Sequence, residues 1–282
     1  MTRKIKSILS AVIIFAAAAN LNAQVNWKRQ EPQDNLPLQL FHSQHSINLP
    51  TAETLGKGNF EFEISHRFIP SIKDGIKAFF GFDGPANIRL ALGYAVTDDI
   101  FVALGRSNVD DNVDLRIKYK FISLKNGFLP FMIAARAGAA WNTETIGKSS
   151  SEGNNFQYYG QIIFNTMIGR KFGIGFVPSY LYNSNIYKTD IKDSFTFGIN
   201  MQYYISGLLS VLAEFNPTVS GYRNRFDSFS AGIELETGGH FFKIIVTNNA
   251  LINPSQFLAG ADRRFEDGNW RIGFNITRLL KF

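Results

Sequence analysis

Residues 270–282 read WRIGFNITRLLKF, and in an extended strand Trp270, Ile272, Phe274, Ile276, Leu280 and Phe282 fall on one face. Arg278 is the single interruption of that face, while Arg271, Asn275 and Thr277 stand opposite. Successive side chains of a strand point to opposite sides, so the run has one apolar side and one polar side. Such alternation over about ten residues is the repeating unit of a transmembrane β-barrel wall, apolar toward lipid and polar toward the lumen.

The pattern recurs upstream. Val113, Leu115, Ile117, Tyr119 and Phe121 oppose Asp114, Arg116, Lys118 and Lys120; Phe60, Phe62, Ile64 and Phe68 oppose Glu61, Glu63, Ser65 and Arg67. Phe195, Phe197, Ile199, Met201 and Tyr203 likewise oppose Thr196, Asn200, Gln202 and Tyr204. A soluble antiparallel sandwich also alternates, so loop lengths carry the distinction. Strands are predicted at 59–69, 87–96, 99–107, 112–122, 129–141, 156–170, 172–183, 195–205, 208–216, 227–236, 241–249 and 269–282. Connections after even-numbered strands are short, as at Thr97–Asp98 and Ser206–Gly207, whereas those after odd-numbered strands are mostly long, as at 70–86 and 250–268. Short turns at one end and long loops at the other are expected of an all-β, up-and-down, outer-membrane barrel of about twelve antiparallel strands with both termini in the periplasm. The terminal aromatic Phe282, with Trp270 and Phe274, has the form of the sorting signal read by the barrel assembly machinery of Gram-negative bacteria.

The other end of the chain agrees with this address. Arg3, Lys4 and Lys6 precede an apolar stretch, Ile8–Ala19, too short to span a bilayer and of the length of a secretory signal core. The expected organisation is a cleaved signal over 1–23, an irregular periplasmic lead-in or plug over 24–58 carrying Pro32, Pro37 and Pro50, and a barrel over 59–282. With no cysteine there is no lipoprotein acylation site, disulfide or thiolate metal site. Removing the signal's three basic residues lowers the net charge of +6 to +3. The basic residues form no clustered stripe, which argues against nucleic acid despite a pI near 9.4. The 27 Phe, 10 Tyr and 24 Gly instead suit pleated strands, membrane interfaces and tight turns.

Three stretches carry a resemblance: HSINLPTAETLGKGNFEFEISHRF (45–68), FFGFDGPANIRLALGYAVTDDIFVALGRS (79–107) and LRIKYKF (115–121). Through the SHRF at 65–68, the FGFD at 80–83, the GRS at 105–107 and the KYK at 118–120, the chain from about residue 40 onward resembles a Bacteroidetes β-barrel family of unknown function. Ile69 stands where members of that family often carry Gly. The resemblance implies an outer-membrane barrel and supplies no catalytic residue.

Candidate chemistry lies in the lumen, the histidines and the loops. Glu61, Glu63, Arg67, Arg89, Asp114, Arg116, Lys118, Lys120, Arg136, Glu214, Glu234, Glu236, Lys243 and Arg271 are expected to face inward. Buried charges must pair or be hydrogen-bonded, so they either fill a closed barrel with salt bridges or line a wet channel across which Arg116, Lys118 and Lys120 face acidic strands. His42 and His45, with Glu53, have the spacing of a metal pair but no third ligand set by that spacing, and no metal or cofactor is expected. His66 is expected on the lipid face as an interfacial anchor; as a catalytic base it would need Ser107 or Ser228. His240 reads as a turn residue. The apolar loops KAFFGFDG (77–84) and 249–258 are expected to fold over the barrel mouth or inward, or to meet a partner. The functional expectation is a non-enzymatic conduit for small polar solutes, embedded in outer-membrane lipid; the alternatives are a closed structural or docking barrel and a lipid-modifying enzyme.

Overall fold

The computed structural model describes residues 39–124 and 129–280. The signal segment, residues 24–38 of the lead-in and Phe282 lie outside the described residues. The strands are β1 Phe60–Phe68, β2 Ala86–Ala95, β3 Ile100–Ser107, β4 Asn112–Leu124, β5 Phe131–Asn142, β6 Phe156–Ile168, β7 Phe172–Tyr182, β8 Asp193–Tyr204, β9 Leu209–Asn216, β10 Thr218–Gly221, β11 Ser228–Glu236, β12 His240–Thr247 and β13 Arg271–Leu280. Each pairs antiparallel with its neighbours, and β1 closes the ring on β13 with Phe60 opposite Leu280 and Ile64 opposite Ile276. Closure leaves no free strand edge, which is what lets a sheet cross lipid.

The ring has twelve strands, and β10 is an addition the sequence pattern does not reveal. Pro217 supplies the reason, because it has no N–H to donate to a ladder. Its carbonyl still accepts from Phe197 N at 3.1 Å, and beyond it the chain continues along β8 as β10 while β11 stays with β9. The wall therefore splits at one end of β9.

Outside, the wall shows the predicted apolar face: Leu104, Leu115, Ile117, Ile233 and Ile244 are all at least half exposed. No described helix is long and apolar enough to cross a membrane. Inside, residues 40–55 double back on themselves as a hairpin between the strands. Its own hydrogen bonds, Ser46 N to Leu49 O and Thr51 N to Gln44 O, place the tip at 46–49. Leu40, Phe41, Leu49 and Ala52 of the hairpin belong to one buried apolar cluster with Met132, Ile163, Val177 and Leu181 of the wall. Phe257, Leu258 and Ala259 join the same cluster from the opposite end, where the loop after β12 turns inward and forms the short helix α1, Pro254–Phe257.

The two apolar loops thus part company. The 249–258 loop folds inward as expected, but 77–84 does not: Ile76, Phe79 and Phe80 stand more than half exposed. A capping box of Ser71 and Asp74 starts a 3-10 turn at Ile72 that carries the loop outward. Phe82 packs edge-on against Phe68 of the outer wall at 5.4 Å between centroids.

Candidate functional site

Period-two alternation on β1 and β4 directs Glu61, Glu63, Arg67, Asp114, Arg116 and Lys118 into the barrel, and all are buried. Arg89, Arg136, Glu214, Glu234, Lys243 and Arg271 join them from β2, β5, β9, β11, β12 and β13. One group closes within the wall. Glu63 Oε2 lies 2.6 Å from Arg116 and 3.2 Å from Arg89, and Arg89 reaches Asp114 at 2.9 Å. Gly105 permits this last pair, because a Cβ there would collide with the Arg89 guanidinium as it crosses β3.

Most of the remaining charges find their partners on the hairpin. Glu214 accepts from the main-chain nitrogens of Ile47 at 2.6 Å, Asn48 at 2.9 Å and Leu49 at 2.9 Å. Arg67 donates to Asn48 Oδ1 at 3.0 Å and to Asn275 at 2.8 Å, while Asn275 donates to the Ile47 carbonyl at 2.8 Å. Lys118 donates to the carbonyls of Thr51 and Glu53, and Lys243 to those of His45 and Ser46. Glu234 holds Lys243 at 3.0 Å, His42 Nδ1 at 2.9 Å and Gln202 at 2.7 Å. Gln44 donates to Glu61 at 3.2 Å. A buried ion requires this density of hydrogen bonds, since desolvation otherwise exceeds what pairing returns.

Three of the expected lumen residues take up different settings. Lys120, the last residue of β4 in register before a shift, places its amine at Thr54 Oγ1 and Asp99 at the short-turn end. Arg271 lies at the long-loop end, bidentate to Asp262 at 2.8 and 2.6 Å. Glu236 is the last residue of β11 and accepts from Gly239 N of the following turn at 2.9 Å. Trp270 and Phe274 are on the outer side, Trp270 donating to the Phe265 carbonyl at 2.9 Å and Phe274 stacking on His66 at 4.8 Å.

The histidines are structural in geometry. His42 and His45 do not converge with Glu53, which instead accepts from Leu40 N at 2.9 Å. His45 meets Arg136 Nη1 at 2.9 Å. Ligand atoms of His45, Glu61 and Glu63 do approach within 4.8 Å of one another, but Glu63 is already held by two arginines and His45 by a third. That crowd of cations opposes a further positive ion. His66 lies on the outer face, whereas Ser107 and Ser228 are buried inside, so the wall separates the base from either hydroxyl. His240 stacks on Phe242 at 6.0 Å beside the turn.

Sequence reasoning found the charges but not their partners. Main-chain N–H and C=O groups of residues 40–55 supply them, and main-chain groups leave no residue-type signature; the nearest signal was the break in alternation before β1.

A closed twelve-stranded ring, apolar outside and polar within, defines a transmembrane barrel of the outer-membrane type. Over residues 41–280 the chain matches the family described as membrane bound beta barrel domain (DUF5777), and it belongs to that family. Compared by sequence with curated proteins, it finds no match. Among solved structures it is similar to the COG4313 outer membrane channel from Pseudomonas putida F1, with 12% identity and a TM-score of 0.51 over 81% of this chain and 98% of that one. It is also similar to the NanC porin, with 8% identity and a TM-score of 0.48 over 79% of this chain and 100% of that one. At such identities the likeness is one of fold.

Proposed function

We infer that this outer-membrane barrel is a gated conduit for small polar solutes, with the hairpin 40–55 as its gate. One observation carries the reading. Among the described residues, the hairpin makes main-chain to main-chain hydrogen bonds only within itself, and the wall grips it through side chains. It can therefore leave without breaking a strand ladder, and its departure would expose Glu61, Lys118, Glu214, Glu234 and Lys243 to a passing solute. A filling built from wall side chains alone could not withdraw in this way. The inference includes both termini in the periplasm, assembly through recognition of the terminal strand, the Bacteroidetes source implied by the 45–68 resemblance, and no enzymatic activity. The His66 arrangement supports the last point.

A second reading is a permanently closed barrel that docks a partner. It is favoured by the inward loop 248–261 at the far end and by the exposed Ile76, Phe79 and Phe80. Planar-bilayer conductance of the refolded mature protein separates the two. The conduit predicts stepwise currents whose ion selectivity shifts in Lys118→Glu; silence from a demonstrably folded protein would sink it and favour the closed barrel.

A further inference from the structure

The loop after β1 leaves the wall on its outer side. Toward the long-loop end the outward residues of β1 are His66 and Phe68, and His66 stands in one row across the wall with Phe274 of β13 and Ile88 of β2. From that row the rings follow one another out of the wall. Centroid to centroid, Phe274 lies 4.8 Å from His66, His66 4.5 Å from Phe68, Phe68 5.4 Å from Phe82, and Phe82 6.1 Å from Phe79. The apolar surface of the strands thus continues into the loop.

The loop is fastened in this position. Ile72 N donates to the Trp270 carbonyl at 2.8 Å and the Ser71 hydroxyl donates to the same oxygen at 3.3 Å, while the Lys73 amine donates to the Asp267 carbonyl. Within the loop, Phe82 N donates to the Phe79 carbonyl at 3.2 Å and Asp83 N to the Ala78 carbonyl at 3.0 Å. So held, Ile76 is 73% exposed, Phe79 62%, Phe80 52% and Phe82 47%. Phe79 and Phe80 also adopt left-handed backbone, with φ of 44° and 55°, a conformation that bulky side chains rarely take and that costs energy. In water neither the strain nor the exposed rings would be offset. The loop after β5, at the same end of the barrel, shows the contrasting case: its residues 148–155 read KSSSEGNN.

We propose that residues 72–82 form a membrane-surface anchor, with Ile76, Phe79, Phe80 and Phe82 set into the boundary between headgroups and acyl chains of the leaflet around the long-loop end. Segments that combine phenylalanine and aliphatic side chains with lysines settle at that boundary. Lys73 and Lys77 are exposed, and their stems are long enough to keep the ammonium groups among the headgroups while the rings sit deeper. An exposed apolar patch of this kind marks a contact surface, and its continuity with Phe68, His66 and Phe274 of the lipid-facing wall assigns the contact to lipid. A protein partner seated on Phe82 would have to lie within the bilayer beside Phe68. The anchor draws this loop away from the barrel mouth, and it acts whether or not the barrel conducts.

The experiment places nitroxide labels on single cysteines, since the chain has none of its own. Ile76→Cys and Phe80→Cys are labelled in the mature protein refolded into dilauroylphosphatidylcholine vesicles, with Ser151→Cys as the reference on the polar loop. Nickel chelate is present on both sides of the bilayer. Oxygen concentrates in lipid and the chelate in water, so the frequency of collision with each reports what surrounds the label. At positions 76 and 80, nickel collisions should be several-fold rarer than at 151 and oxygen collisions more frequent. Nickel collisions as frequent as at 151 would place the loop in water and overturn the proposal. Shielding from both probes would mean that protein covers the loop, a partner or a second copy, and would overturn it equally. Ile76, the most exposed of the four, decides the matter if the Phe80→Cys chain does not fold.

Discussion

Both carboxylate oxygens of Glu214 lie within 3.0 Å of the main-chain nitrogen of Asn48. With Ile47 N and Leu49 N also donating to Glu214 Oε1, one side chain of β9 gathers three consecutive N–H groups at the tip of the hairpin. Successive amides pointing at one anion form a strong site, since each bond is charge-assisted. This carboxylate is the most concentrated hold of the wall on the hairpin.

Glu214→Gln keeps the shape and removes the charge. Charge-assisted bonds contribute about 1.5–3 kcal/mol each against about 1 for neutral ones, so the hairpin should leave the lumen far more often. Single-channel recordings should show open time at least tenfold longer than in the unmodified protein; unchanged gating would remove Glu214 from this role.

Asn48 Nδ2 and Ser230 Oγ are 3.3 Å apart, and the chain has no native cysteine. The double variant Asn48→Cys/Ser230→Cys should therefore form a single disulfide that pins the hairpin to β11. Currents should vanish under oxidising conditions and return on adding a reductant. Conduction that persists through the oxidised protein would show a path that bypasses the hairpin.

Glu63 is the shared partner of Arg89 and Arg116. Glu63→Gln strands the buried Arg116 guanidinium and leaves Arg89 with Asp114 alone, and breaking such a pair costs about 3–5 kcal/mol. Urea unfolding from lipid vesicles should register the loss, and Glu63→Gln/Arg116→Met should recover part of it. Equal stability of the single variant and the unmodified protein would show that water, not the ion network, solvates these residues.

Gly173 lies under the entry of the hairpin, where a Cβ would stand 2.6 Å from the Leu40 carbonyl oxygen. Since that obstacle is main chain and not a movable side-chain end, Gly173→Val should shift residues 40–42 and weaken the His42–Glu234 contact. Limited proteolysis should cut the 39–55 segment several times faster than in the unmodified protein, with the barrel core intact. Equal rates would place the entry elsewhere.

In the loops outside the membrane span, Tyr187 donates to Asp110 and its phenol is pushed above its ordinary value by burial first and by this hydrogen bond second. A group raised on folding contributes stability fully below its unfolded pKa, about 10 for tyrosine, and loses it as pH rises through the folded value. The tie between the loops after β3 and β7 should thus persist through neutral pH and release only in strong alkali. Hydrogen exchange of residues 184–192 should show that release, and Tyr187→Phe should show fast exchange already at neutral pH. A release near pH 7 in the unmodified protein would refute the assignment.

The sequence by itself determined the wall. Alternation of the Val113–Phe121 kind is local, and lipid outside with polar groups inside imposes it on each strand separately, so strand number, approximate boundaries and the facing of Glu63, Arg116 or Phe274 are legible one segment at a time. Only the tertiary structure decided what fills the ring. The Glu214–Asn48 contact spans 166 residues of chain and uses a main-chain group that every residue but proline possesses. The split at Pro217, and the opposite fates of the apolar loops at 77–84 and 249–258, likewise depend on which surfaces closure of the barrel brings within reach. A binary apolar and polar pattern says which way a side chain points; it does not say what waits there, because that is set by the rest of the chain.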